Sequence, residues 1–172
     1  MATLPELETT RLTLRRFEFD DAPFVVTLLN DPSFIANIGD RGVRSIEDAH
    51  RYLREGPMAM YESFGFGLWH VARKSDGAPV GMCGLLKRDY LPDPDVGYAF
   101  LPEFRGLGFA IEAAEATLRH GARKFGLKRL LATVIAGNEP SIRVLEKLGM
   151  EFERMLEKKP GEAEVRLYGR TL

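Results

Sequence analysis

The chain has 172 residues, of which 45% are hydrophobic and 28% are charged, and this composition fits one compact domain with a sizeable core. Its 24 basic and 25 acidic residues nearly balance, which argues against binding to nucleic acid or to an acidic membrane driven by bulk charge. A single cysteine, Cys83, excludes an intramolecular disulfide and is compatible with a reducing compartment.

Targeting and linker signals are missing from the pattern. The first residues lack the basic and apolar regions of a signal peptide, and no apolar run approaches the ~20 residues that a membrane span needs. No repeat or Pro/Gly/Ser-rich linker divides the chain. We therefore expect a cytoplasmic protein with one domain over residues 1–172 and neither a nucleic-acid nor a membrane partner.

The N-terminal third predicts one strand followed by helices. Alternating apolar and charged residues indicate a strand at 11–17, after which Asp20 or Asp21 caps a helix that ends near Leu29. Residues 31–44 are expected to form a loop with at most one helical turn.

A second helical region follows this loop. Ser45 and Asp48 resemble a capping box, so a helix is predicted to run to about Arg54. The Gly56-Pro57 pair is expected to interrupt it before a further helix at 57–63.

The remaining two thirds alternate between strands and helices. A helix is predicted at 108–125 and ends at Gly126, and another opens at Asn138-Glu139-Pro140 and closes at Gly149. Apolar and β-branched runs bounded by turn residues predict strands at 67–73, 79–86, 96–101, 129–135, 151–156 and 164–170.

This order predicts an α/β (α+β) fold with three layers, in which helices flank a mixed seven-stranded sheet. The strand, helix and strand between residues 96 and 135 should form a crossover between parallel strands.

One turn carries a chemical signal. In the segment 105–110 (Arg-Gly-Leu-Gly-Phe-Ala), a glycine-bearing turn joins a strand to the N-terminus of a long helix. Free N–H groups at a helix N-terminus attract anions, and small residues at 106, 108 and 110 let a phosphate approach the backbone. A tight turn that uses glycines for its geometry alone explains the same residues. Neither a Walker loop nor a dinucleotide fingerprint is present.

The sequence resembles the GNAT superfamily of N-acetyltransferases, and within it the branch of the Rim-type ribosomal-protein N-terminal acetyltransferases. Arg105, Gly108 and Ala110 match the family's Arg/Gln-x-x-Gly-x-Gly/Ala pyrophosphate motif. Further matches, in the family's order and over nearly the whole chain, lie at Glu8–Arg15, Val80–Leu85, Asp95–Tyr98 and Asn138–Gly149.

The resemblance implies a role for each matching position. Acetyl-CoA would be the co-substrate, with its pantetheine arm on the backbone of Phe100 and Leu101 and on Asn138. Ser141 would protonate the leaving thiolate, and Asp95, where the branch usually has Glu, would be the base. The pyrophosphate would bind the main-chain amides of Arg105, Gly106, Leu107, Gly108, Phe109 and Ala110.

The acceptor is left open by the resemblance. A peptide N-terminus and a small-molecule amine both fit, and the acidic loop residues Asp89, Asp93 and Asp95 would favour a cationic amine. The alternative function is a non-catalytic CoA-binding regulatory module. Similar proteins are often homodimers. The three histidines have no ligand spacing, so no metal is expected.

Overall fold

The computed structural model describes residues 3–172, and these residues contain a mixed sheet of eight strands in the order β1-β2-β3-β4-β5-β6-β8-β7. All neighbouring strands are antiparallel except β5 and β6, which are parallel. The strands are β1 (Pro5–Glu8), β2 (Leu12–Arg15), β3 (Leu68–Arg73), β4 (Pro79–Leu86), β5 (Asp95–Phe100), β6 (Arg129–Ile135), β7 (Glu151–Met155) and β8 (Val165–Thr171).

The helices cover the two faces of this sheet, which confirms the predicted α/β class. They are α1 (Ala22–Leu29), α2 (Pro32–Asn37), α3 (Ile46–Leu53), α4 (Ala59–Phe64), α5 (Phe109–Phe125) and α6 (Glu139–Lys147). None of the helices in residues 3–172 has the length and apolar character needed to cross a membrane.

The predicted count of seven strands is corrected by β1, which pairs with β2 at the edge of the sheet. Pro5 opens this short strand, and an edge strand tolerates proline because one side of it needs no hydrogen-bond partner. A four-residue segment with a proline carries little strand signal of its own, so only its pairing with β2 reveals it.

Two expectations for residues 31–64 are also corrected. The helix α2 spans Pro32–Asn37, with the Asp31 side chain accepting a hydrogen bond from the Phe34 N–H, where a loop with one turn was predicted. Pro57 does not interrupt the path from α3 to α4. A wider π-helical turn at Arg54–Met58 carries the chain through, because such a turn accommodates a residue without an N–H. The capping box of Ser45 and Asp48 is confirmed.

The core lies on both faces of the sheet. On one face, α5 presents Ala113, Ala114 and Leu118 to strand residues that include Trp69 and Leu85. On the other face, α1 to α3 pack against residues that include Met82 and Leu101. Burial of these side chains, at about 25 cal/mol per Å² of apolar surface, orients the sheet between its two helical layers.

His70 lies in the second of these layers and is 4% exposed. The rings of Phe17 and Phe24 pack edge-on against it, and its Nδ1 atom has no hydrogen-bond partner. Burial lowers the pKa of His70 to about 4; the Arg15 charge lowers it further and the Asp21 carboxylate opposes the shift. The imidazole is therefore neutral in the folded state at neutral pH.

We expect the free energy of unfolding to fall as the pH drops from 6.5 towards 4. The pKa of His70 is lower in the folded state than in the unfolded state. The stability that neutral His70 contributes is therefore complete above pH 6.5 and is lost as the pH falls to about 4. That shift corresponds to about 3 kcal/mol. Urea denaturation at a series of pH values measures it, and His70→Phe should flatten the slope. An unchanged slope in the variant would contradict this assignment.

Candidate active site

A split between β5 and β6 forms the centre of the site. Among the described residues, the two parallel strands share a single registered pair, Asp95 with Leu131. The Leu101 N–H donates a hydrogen bond to the Val80 carbonyl of β4, on the side of β5 away from β6. Since main-chain groups alternate in direction along a strand, those of Tyr98 and Phe100 point into the split. The split opens a cleft of about 1450 Å³.

The glycine turn, residues 105–110, borders this cleft at the N-terminus of α5. Gly106 and Gly108 have φ of +74° and +81°, in the left-handed region that side-chain-bearing residues rarely adopt. Gly108 is the N-cap of the 17-residue helix α5, and no side chain caps the helix there. The first amides of α5 are therefore free to meet an anion at the positive end of the helix dipole.

Two arginines hold the glycine turn in place through hydrogen bonds. Arg105 donates from Nε to the Phe100 carbonyl at 3.0 Å and from Nη2 to Asp31 at 2.7 Å, which ties the turn to α2. Arg11 donates from Nη1 to the Leu107 carbonyl at 2.8 Å and pairs with Glu112 in the first turn of α5. The guanidinium of Arg105 therefore anchors the turn, and the groups of the turn that are left for an anion are main-chain amides.

On the α5 side of the sheet, two hydroxyl groups meet in the cleft. The Tyr98 hydroxyl lies 2.8 Å from Ser141 Oγ, and either oxygen can be the donor. Asn138 caps α6 by accepting a hydrogen bond from the Ser141 N–H at 3.4 Å, so its Nδ2 remains available. Burial raises the pKa of Tyr98 to about 12, although the bond with Ser141 lowers it in part, so the phenol keeps its proton at neutral pH.

Asp95 lies on the opposite face of β5. Val96 and Phe100 join the cluster around α5, whereas Ala99 packs with the α1–α3 cluster, and Asp95 shares the face of Ala99 by the period-two alternation. Its side chain is 1% exposed and accepts hydrogen bonds from Arg88 Nε at 3.1 and 3.2 Å. Burial raises the pKa of Asp95, and the charge of Arg88 opposes this shift.

Polar side chains other than Asp95 also line the cleft, and Arg88 joins Asp95 to the Tyr90 hydroxyl. We call this group the acceptor pocket, and it consists of Arg41, Tyr52, Arg88, Tyr90 and Asp95. The split therefore has a hydroxyl pair on one face and a carboxylate beside an arginine on the other. An acyl donor and a nucleophile that approached from opposite faces would meet between the strands.

Comparison with known proteins identifies the family. Residues 11–151 match the family described as the acetyltransferase (GNAT) domain. The N-acetyltransferase YnaD of Bacillus subtilis is 30% identical over 152 residues, which cover 88% of this chain and 86% of YnaD. The chain belongs to the GNAT acetyltransferase family.

Solved structures of GNAT acetyltransferases have the same fold. A GNAT-family acetyltransferase from Bacillus anthracis superposes with a TM-score of 0.80 at 28% identity, covering 96% of this chain and 97% of that one. RimL, the ribosomal L7/L12 α-N-protein acetyltransferase, in complex with CoA, gives a TM-score of 0.85 at 17% identity, with 98% of each chain covered. The resemblance found in the sequence is thereby confirmed, and this GNAT protein is an acetyl-CoA-dependent N-acetyltransferase.

The structure of this GNAT acetyltransferase brings most of the predicted site residues to one cleft. Leu101 and Leu107 are the exceptions. The Leu101 N–H donates to the Val80 carbonyl and the Leu101 carbonyl accepts from the Phe104 N–H, so neither group is free for the coenzyme. Leu107 does not line the cleft, and its carbonyl accepts from Arg11. The residues that line the cleft include Asp95, Phe100, Arg105, Gly106, Gly108, Phe109, Ala110, Asn138 and Ser141.

The role suggested for the acidic loop residues is also revised. Asp89 and Asp93 were expected to attract a cationic amine, but neither lines the cleft, and Asp93 lies 3.5 Å from Arg129 instead. Cys83 is fully buried in β4, and burial raises the pKa of its thiol to about 12.

Sequence reasoning underrated Tyr98 and missed Arg41, Tyr52 and Arg88. Tyr98 ends a segment that matches the family, but it was not among the predicted site residues. Its partner Ser141 is 43 residues away in sequence, and no local spacing signals their contact. The two arginines lie on different loops, so only the folded chain brings them to one pocket.

Proposed function

We propose that this acetyltransferase acetylates a primary α-amine, on a peptide N-terminus or a small molecule, by direct attack across the split between β5 and β6. One observation carries the proposal. The hydroxyl pair of Tyr98 and Ser141 lies on one face of the split and Asp95 lies on the other, in the cleft that the glycine turn borders. The thioester of acetyl-CoA supplies the acetyl group, and residues of this chain supply the binding and the proton handling.

The cleft fits acetyl-CoA in its charge and its hydrogen-bonding groups. The amides of the glycine turn would hold the pyrophosphate, which the positive end of α5 favours. The main-chain groups of Tyr98 and the Phe100 N–H would pair with the pantetheine arm, in place of the Leu101 groups, since the Phe100 carbonyl accepts from Arg105. Asn138 Nδ2 would add a donor. Lys147 lies on the cleft wall at α6, and its charge suits a phosphate.

The hydroxyl pair would stabilise the leaving sulfur by a hydrogen bond. An ordinary thiol has a pKa of ~8.5, whereas the pKa of Tyr98 is raised to about 12. Complete transfer of the phenol proton to a thiolate would therefore cost about 5 kcal/mol. A hydrogen bond donated by Tyr98 or Ser141 to the developing negative charge avoids this cost. Ser141, predicted as the acid, keeps a role that it shares with Tyr98.

Asp95 would assist removal of the amine proton. An α-amine of pKa ~8 needs about 1 kcal/mol to lose its proton at neutral pH, whereas a lysine amine of pKa ~10.4 needs about 4–5 kcal/mol. A carboxylate held by Arg88, acting through a water molecule, is strong enough for the first of these amines. This difference, together with the activity that the RimL structure is named for, supports an α-amine acceptor.

The experiment follows free-thiol release from acetyl-CoA with peptides that offer either a free N-terminus or only a lysine amine. We expect turnover with the α-amine peptides. Asp95→Asn should lower kcat/KM at neutral pH by about 10- to 100-fold, the lower range for a general base. The loss should shrink as the pH rises past the pKa of the amine, because the free base then no longer needs help.

Asp93→Asn is the matched control, because it removes a carboxylate two residues before β5, outside the cleft. Each variant is checked for retained CoA binding, so that a folding defect is recognised. Equal neutral-pH rates for Asp95→Asn and wild type would reject Asp95 as the proton acceptor. Absence of thiol release with every amine would reject the proposed function.

Three other expectations stay predictions at this point. A homodimer is suggested by similar proteins, and light scattering in solution measures it. A cytoplasmic location is suggested by the single cysteine, and fractionation measures it. One N-acetyltransferase domain over residues 1–172 is suggested by the absence of linker-like composition, and a single unfolding transition would agree with it.

A further inference from the structure

The sequence predicted an acidic acceptor site, whereas the acceptor pocket contains two arginines and one aspartate. The acidic loop residues Asp89 and Asp93 do not line the cleft, and Asp95 is paired with Arg88. The two remaining carboxylates of the cleft wall, Glu157 and Glu162, lie on the β7–β8 hairpin, where Glu162 accepts a hydrogen bond from a main-chain N–H. Besides Asp95, the charged side chains of the acceptor pocket are Arg41 and Arg88.

Arg41 has an unused guanidinium at the edge of this pocket. It is exposed, lines the cleft, and makes no ion pair with a carboxylate of residues 3–172. The adjacent acid, Asp40, is paired with Arg44 at 2.7 Å and is not available to Arg41. An arginine with all of its donors free can bind a carboxylate or a phosphate through two parallel hydrogen bonds.

Arg88 and Tyr52 complete the group. Arg88 donates hydrogen bonds from Nε to Asp95 and from Nη1 to the Tyr90 hydroxyl, the latter at 3.2 Å. Its Nη2 has no protein partner among the described residues. Burial raises the pKa of Tyr52, while the charges of Arg41 and Arg88 lower it in part, so both arginines lie within electrostatic reach of one hydroxyl. All three side chains line the same cleft as Asp95, and Arg88 contacts Asp95 directly.

We infer that the acceptor carries an anionic group, a carboxylate or a phosphate, close to its reactive amine, and that Arg41, Arg88 and Tyr52 bind this group. The inference rests on the proposed function and narrows its substrate class. Polyamines and aminoglycosides are excluded, because their extra positive charges would face two arginines at close range. An acidic peptide N-terminus or a phosphorylated amine has the complementary charge.

The test uses C-terminally amidated peptides that share the N-terminal residue and differ only in the second, which is Glu, Gln, Lys or phosphoserine. Thiol release gives kcat/KM, and calorimetry with the CoA-bound enzyme gives the affinity of each peptide. We expect the Glu peptide to exceed the Gln peptide by about 10-fold, through KM, and the Lys peptide to be the poorest. This preference should weaken at high salt. Comparison of the Glu and phosphoserine peptides distinguishes carboxylate from phosphate.

Arg41→Gln should bring the Glu and Gln peptides to similar affinities, and Arg41→Glu should favour the Lys peptide. Arg54→Gln is the control, because Arg54 is an exposed arginine of the same region that does not line the cleft. Thiol release with no Glu-over-Gln preference, or with a Lys preference, overturns the inference while the proposed function stands. If no peptide is turned over, the proposed function fails, and the calorimetric Glu-to-Gln ratio still decides the inference.

Discussion

Replacement of Gly108 by valine is expected to weaken CoA binding by about 10- to 100-fold. A residue with a side chain is strained by roughly 1–3 kcal/mol in a backbone conformation of positive φ. Gly108 has φ of +81°, and an added Cβ would lie 3.3 Å from Arg11 Nη2, the guanidinium that holds the turn. A β-branched residue relieves this strain only if the turn refolds, which would move the first amides of α5 away from the anion. Isothermal titration with CoA measures the change.

Gly77→Val provides the matched control for backbone strain. Gly77 has φ of +72° with open space around its Cβ position, and it lies in the turn between β3 and β4, outside the cleft. Both variants should lose stability by a similar mechanism, but only Gly108→Val should lose affinity for CoA. Equal CoA affinity in Gly108→Val and wild type would remove the main-chain anion site from the proposal.

Removal of the Tyr98 hydroxyl is expected to lower kcat by about 10²- to 10³-fold, the range observed when one hydrogen bond to a developing negative charge is lost. Tyr98→Phe keeps the ring, which packs at the edge of the core, and removes only the oxygen that lies 2.8 Å from Ser141 Oγ. The KM for acetyl-CoA should change little, because this contact is made to the departing sulfur. Pre-steady-state acetyl transfer measures the effect on the chemical step.

Ser141→Ala tells whether the two hydroxyls act as one unit. If they do, the double variant should be little slower than the slower single variant, because residues of one unit have non-additive effects. Tyr168→Phe is the control, since it removes the hydroxyl of another buried tyrosine that does not line the cleft. Wild-type kcat in both Tyr98→Phe and Ser141→Ala would refute their role at the leaving sulfur.

Local signals were sufficient for the elements with strong periodicity or clear end residues. The strand 129–135 and the helix that Gly126 ends were predicted within one residue of their observed bounds. An apolar, β-branched run and a glycine after a helix are signals that neighbouring residues in the sequence carry. The capping box at Ser45 and the cap at Asn138 belong to the same class.

The misread segments depend on distant partners. β1 exists because its backbone pairs with β2, and the helical path through Pro57 persists because α3 and α4 both pack against the sheet region. In each segment, the free energy gained from strand pairing and burial outweighs a local preference against the strand or the helix, which amounts to about 1–3 kcal/mol.

The amino-acid sequence by itself determined the GNAT family and the α/β class, because the family motifs and the order of the elements can be read along the chain. It also predicted an anion site at the turn 105–110, from residues that are close together in the chain. The tertiary structure decided the chemistry of the two faces of the split. Tyr98 meets Ser141, Arg88 pairs with Asp95, and Arg41, Arg88 and Tyr52 line one cleft only in the folded chain, around the split between β5 and β6. These contacts join separate segments, and the sign of the charge that an acceptor meets follows from where the loops lie in space.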